Sequence, residues 1–278
     1  MLLRSPMAPL LRARSVPIAA AAAAAGVAHR RCLSATIGDA AANSSSPGAG
    51  AGTAPPQKAP ELVAELERLE KGPFLLASFY RVAGMFSDEN WQAAAAGDIY
   101  FSVLKQSHQQ HPVIVANGAT PDRFYSRLQI RGLHCWLVHN RMNQEPRERS
   151  RTLLYEMMES IWNQAGLDLT RDFGFGYIEM SKHLKAAQLS WHGCCRNLDE
   201  ALENEAPAES MVEVLLRNIY VDDEGMPLVD PATGEHDPDA QAGAKWLAEY
   251  LLAQRAHLAV LPAEQILRGR ITWGDVSE

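Results

Sequence analysis

Apolar residues recur along most of this chain at the spacing of a helix rather than a strand. Pro60 opens a short predicted helix carrying Leu62, Leu66 and Leu69. Phe74, Leu75, Leu76, Phe79 and Tyr80 form a second apolar cluster, read as a docking or core segment. Ser87-Asp88-Glu89 is an N-terminal signal for a helix running through Trp91 and the alanines that follow. Tyr100, Val103 and Leu104 share one face. Thr120-Pro121-Asp122 announces a helix through Leu128, Arg131 and Trp136 to about Met142. Leu153, Leu154, Met157, Met158 and Ile161 then repeat at i, i+3, i+4, i+7 and i+8. Tyr177, Met180, Leu184 and Ala187 form the next stripe, and Met211, Val214, Leu215 and Ile219 the one after. Trp246, Leu247, Tyr250, Leu251, Gln254 and Leu258 mark a last long helix, stopped by Pro262.

Strand alternation is almost absent. Only Val113 to Val115 has β character, beside Pro112 and Asn117-Gly118. The expected fold is all-α, a single helical-bundle-like domain over 98–275 with a helical extension over 60–97. The segment from Asp222 to Asp239, rich in acids and carrying three prolines, reads as a solvated or disordered excursion.

Charge changes the picture at the N-terminus. The 278 residues carry a formal net charge of −7, but the first acidic residue is Asp39. Before it stand Arg4, Arg12, Arg14, Arg30 and Arg31, among leucines and an alanine run. An acid-free, arginine-rich, weakly apolar leader is the composition of a mitochondrial transit peptide. Arg31-Cys32-Leu33-Ser34 fits a processing site after Leu33, so 1–33 is the expected presequence. A chloroplast transit peptide is one rival reading and a secretory signal over Val16 to Ala28 the other, but for secretion alanines make a poor hydrophobic region and two arginines follow. Residues 34–59, rich in Ala, Gly, Ser and Pro, read as a disordered linker. Loss of the five arginines leaves 21 basic against 33 acidic residues, a net charge of −12. So acidic a surface disfavours bulk nucleic-acid binding. No run of about 20 apolar residues is available to span a membrane.

Chemistry is sparse. His192-Gly193-Cys194-Cys195, with His183 nearby, gathers metal-ligand types without a ligand spacing; an inert thiol pair is the better reading. His108 and His111 sit at an expected helix end before Pro112. No nucleophile elbow is present. Asp172-Phe173-Gly174-Phe175-Gly176 lacks the strand and third glycine of a dinucleotide loop and reads as a turn. No catalytic residue, metal or cofactor is expected. One basic cluster remains: Arg141, Arg147, Arg149 and Arg151. It reads either as a helix junction with ordinary surface pairs or as a phosphate or RNA contact.

Five motifs in order carry a resemblance. Gly132-Leu133-His134-Cys135-Trp136-Leu137 leads into Asn140-Arg141-Met142. Trp191-His192-Gly193 precedes Leu198-Asp199-Glu200. Leu215-Leu216-Arg217-Asn218-Ile219-Tyr220 follows, and Leu267-Arg268-Gly269-Arg270-Ile271-Thr272-Trp273 closes the chain. This order resembles the ubiquinol–cytochrome c chaperone family over about 98–275, with Leu216 where the family usually has Trp. The resemblance implies a non-enzymatic complex III assembly chaperone in the mitochondrial matrix, peripheral to the inner membrane. Its implied partners are newly made cytochrome b, a small partner assembly factor and the mitochondrial ribosome near its exit. A holder of apolar client helices needs an aromatic and methionine surface, for which Trp136, Met157, Met158, Trp162 and Trp191 are candidates, although core packing is the commoner role of each. The expected client or partner contacts are His134, Trp136, Arg141, Met157, Trp191, Arg217 and Asn218. The alternative function, a ribosome-associated or RNA-contacting protein, would use Arg147, Arg149 and Arg151.

Overall fold

The structure is a computed structural model that describes residues 61–118, 124–221, 228–229 and 233–275. The presequence, the linker, the Thr120-Pro121-Asp122 signal and much of the acidic segment after Val221 lie outside the described residues. Nine helices and no named strand are present among those described, so the fold is all-α. They are α1 (Leu62–Glu70), α2 (Phe74–Val82), α3 (Asp88–Gly118), α4 (Phe124–Met142), α5 (Arg147–Phe173), α6 (Tyr177–Leu202), α7 (Pro207–Asn218), α8 (Pro238–Ala259) and α9 (Ala263–Leu267).

Helix α4 is the axis. It packs against α3, α5, α6 and α8, and nearly every residue from Ser126 to Met142 is buried. One of its sides joins α6, α7 and α8 through Leu133, Trp136, Leu198, Leu215, Leu247 and Leu251. The other joins α1, α3, α5 and α9 through Cys135, Val138, Ile99, Val103, Met157 and Ile161. A helix buried on all sides normally lacks polar residues. This one buries Gln129, Arg131, His134 and Arg141, which is tolerable only because each finds a partner.

Close approach explains one motif glycine. A Cβ on Gly132 would stand 2.6 Å from Cδ1 of Trp191, so glycine is what lets α6 lay its indole on the α4 backbone. Gly269 has φ +73° and a virtual Cβ 3.1 Å from the Ala95 backbone. Only glycine turns the chain there and lets the C-terminal tail run back over α3.

Three local expectations are corrected. Val113 to Val115 is not a strand: α3 continues helical through Pro112 to Gly118. A helix-interior proline costs about 3 kcal/mol, and complete burial of Ile114 in the core offsets that cost. His108 and His111 consequently lie within α3, not at its end. The acidic segment is not wholly a solvated excursion. Val229 bridges His236 in antiparallel fashion, the Leu228 N–H donates to the Tyr220 carbonyl at 3.0 Å, and Leu228 packs on the core. Asp237 then caps α8, accepting from the N–H groups of Asp239 and Ala240 at 2.9 and 3.1 Å.

Candidate functional site

Most of the sequence-derived contact residues are drawn together, but inside the protein. His134 Nδ1 bonds the Ile130 carbonyl at 2.8 Å. A carbonyl only accepts, so the proton is on Nδ1, and Nε2 must accept from the Tyr250 hydroxyl, also at 2.8 Å. The same hydroxyl accepts from the Gln106 amide at 3.1 Å. Burial pushes the imidazole pKa down to about 4, against a small opposing pull from the Ile130 bond. Burial likewise raises the Tyr250 phenol to about 12. The group is therefore neutral at physiological pH and serves to join α3, α4 and α8.

The tail closes over this group. Trp273 meets the His134 ring edge-to-face at 5.3 Å, and its Nε1–H donates to Ser102 at 3.0 Å. Gln254 and Gly274 exchange two hydrogen bonds, each 2.9 Å. The second motif cluster is equally structural. Trp136 Nε1–H donates to Asp199 at 2.8 Å, and Arg255 donates to Asn140 at 2.9 Å. Residues of the first motif and of the Asp199 and Trp273 motifs thus help pin α4, α6, α8 and the tail together.

The residues named for an aromatic and methionine surface take the packing role that their spacing also allows. Trp136, Met157 and Trp191 are buried, and Met158 and Trp162 are half-buried against the core. Trp162 and Trp191 meet edge-to-face at 5.7 Å. Core and groove share the same 3.6-residue periodicity, so spacing alone does not separate them. Arg217 is exposed, its Nε bonded to the Glu213 carbonyl. Asn218 is half-buried and caps the Val214 carbonyl at 2.8 Å.

The basic cluster does not form one patch. Arg141 is buried, donating to Glu145 and to the Leu261 carbonyl at 3.0 Å each. Arg147, Arg149 and Arg151 are exposed, and Arg149 is tied to Glu145 and Glu264. These contacts tie the start of α5 to the α8–α9 corner.

Among the described residues the cysteine thiols are chemically quiet. Burial raises the thiols of Cys135 and Cys194 to about 12 and raises Cys195 as well, which keeps them protonated and unreactive. His183 stacks on Phe175 at 4.7 Å. No grouping of His, Cys, Asp and Glu among the described residues could hold a metal ion.

Among the exposed apolar side chains of the described residues, those at two places bear on contact. At the α5–α6 turn, Gly174 ends α5 in the left-handed region (φ 66°). Phe173, Phe175 and His183 stack there in sequence. Tyr177 and Ile178 project outward, 79% and 71% exposed. The predicted α6 stripe therefore starts at half-buried Met180, not at Tyr177. The second place is α2, where Ala77 is buried and Phe74, Leu75, Phe79 and Val82 face outward. The sequence allows a docking or a core segment here, and only Ala77 of the helix is buried.

The crystal structure of the Cbp3 homolog from Brucella abortus shares this fold: 22% identity, TM-score 0.55, covering 74% of this chain and 99% of that one. No curated protein matches the sequence. The family model described as ubiquinol-cytochrome C chaperone matches residues 117–273, a span that holds the α4 axis, the Trp136–Asp199 pair and the closing tail. That match covers more than half of the chain, which belongs to the ubiquinol–cytochrome c chaperone family.

Proposed function

We propose that this protein is a non-enzymatic assembly chaperone of ubiquinol–cytochrome c reductase, complex III, that binds newly made cytochrome b. The carrying observation is family membership over residues 117–273. We place it in the mitochondrial matrix after removal of the leader, peripheral to the inner membrane, working with a small partner factor near the ribosome exit. The acid-free leader supports the compartment. No helix among the described residues is long and apolar enough to cross a membrane, so those helices would serve a membrane client by binding it.

The α5–α6 turn is our proposed client contact. A membrane protein exposes apolar helices before it folds, and Phe173, Tyr177 and Ile178 offer exposed apolar and aromatic surface on a rigid hairpin. Arg217, on the exposed face of α7, is the sequence-derived residue best placed for a partner. His134, Trp136, Arg141, Met157 and Trp191 would act by shaping the domain. Depleting the protein in its own cells tests the role. Assembled complex III should fall, with other respiratory complexes less affected, and return on re-expression. Normal complex III after depletion would contradict it.

A further inference from the structure

Helix α2 has a face that the fold leaves uncovered. It packs chiefly on α1, through Ala77 as its buried residue. On the opposite side Leu75, Phe79 and Val82, spaced i, i+4 and i+7, form one stripe, with Phe74 beside it. These four are 83%, 66%, 82% and 81% exposed. The segment's own charge is one-signed, although Glu67 and Glu70 of α1 stand beside it. From Lys71 to Ser87 there is no Asp or Glu, while Lys71 and Arg81 flank the stripe, in a chain of net charge −7. Both cations make only long contacts, to Glu67 and Glu70 at 3.7 Å, with both side chains largely exposed. Such contacts exchange readily for other anions.

We infer that α2 is a lipid-surface anchor, its Phe74, Leu75, Phe79 and Val82 side chains entering an anionic bilayer interface while Lys71 and Arg81 meet headgroup phosphates. Apolar stripe, aromatic content and flanking cations match what an interfacial helix requires. Size favours lipid over protein. A nine-residue helix is only about 14 Å long, small beside the roughly 1,000 Å² of a stable protein interface. A bilayer needs no matching partner surface. The inference rests on the peripheral membrane placement proposed above. A chain that supports complex III assembly but ignores vesicles would sink the anchor and leave the assembly role standing.

Flotation of the full chain tests it, with vesicles of phosphatidylcholine alone or phosphatidylcholine plus phosphatidylglycerol. The chain should float with the anionic vesicles, less so at high salt. The double variant Leu75→Glu, Phe79→Glu should lose partitioning by ten-fold or more, on the order expected for withdrawing two apolar side chains. Its thermal melt should be unchanged, because both positions are exposed. If glutamate disturbs folding, Leu75→Ser with Phe79→Ser gives the same reading. Wild-type chain that stays unbound overturns the inference. So does a double variant that floats like wild type, which would assign binding to the N-terminal arginines. A concentration-dependent dimer abolished by the double variant, without vesicle binding, would assign the face to a second copy and also overturn it.

Discussion

The Tyr250 hydroxyl donates to Nε2 of His134 at 2.8 Å, joining the last long helix to the central one across 116 residues of sequence. It also accepts from Gln106, so one phenol satisfies a buried donor and a buried acceptor. Tyr250→Phe should leave both unpaired and cost about 1–3 kcal/mol. The urea midpoint should fall with its slope unchanged; an unmoved midpoint would count against this network.

The same histidine gives the fold a pH dependence. Its folded pKa is held down at about 4, against an ordinary 6.5. Between those values the unfolded chain binds more protons than the folded one, so stability falls as pH drops from about 6.5 toward 4. The full span corresponds to about 3 kcal/mol. His108 and His139 are shifted down too, chiefly by burial, and add in the same direction. His134→Gln should flatten part of this slope in denaturation measured across that range. A slope identical to wild type would show that His134 does not carry it.

Gly132→Ala sets a methyl against the Trp191 indole, where a Cβ would be 2.6 Å away. The ring cannot retreat without moving α6. Overpacking of this kind costs about 1–3 kcal/mol, and the melting temperature should drop by several degrees. Retention of the wild-type melt would mean the two helices part at no cost.

Asp98 is a cap supplied from a distance. Its two carboxylate oxygens accept from the Leu62 and Val63 N–H groups at 2.8 and 3.0 Å, fixing α1 onto α3. Asp98→Ala should loosen α1 and α2 together, at about 1–2 kcal/mol. Amide exchange over 62–82 should rise while α4 stays protected. Uniform exchange across the chain would argue that α1 is held otherwise.

At the α5–α6 turn the prediction is functional. Tyr177→Asp with Ile178→Asp alters exposed side chains only, so stability should stay within about 0.5 kcal/mol. Assembled complex III should nevertheless fall in cells carrying this variant. Unchanged complex III would remove the turn from the proposed client surface.

The helices are legible because their apolar stripes are periodic, and the Gly174 turn uses ordinary turn chemistry; the Asp237 cap is not, because it lies in a segment whose acids and prolines read as a loop. Helix α3 was harder. Pro112 and two valines argue locally against a helix, and only the burial of Ile114 by distant residues resolves it. The motif residues were legible as a set but not in role. His134, Trp136 and Arg141 look like surface specificity in one dimension because they are polar or amphipathic. In space they are satisfied by Tyr250, Asp199 and the Leu261 carbonyl, partners more than 60 residues away. The exposed faces had the opposite problem. Tyr177 fits the α6 stripe by spacing, and only the turn at Gly174 sends it outward.

Capture of the tagged protein from mitochondria after pulse-labelling of their translation products tests the assembly role most directly. Labelled cytochrome b should be retained well above its share of the input, together with one small co-purifying protein. Retention of all labelled products in input proportion, or of none, would contradict the account.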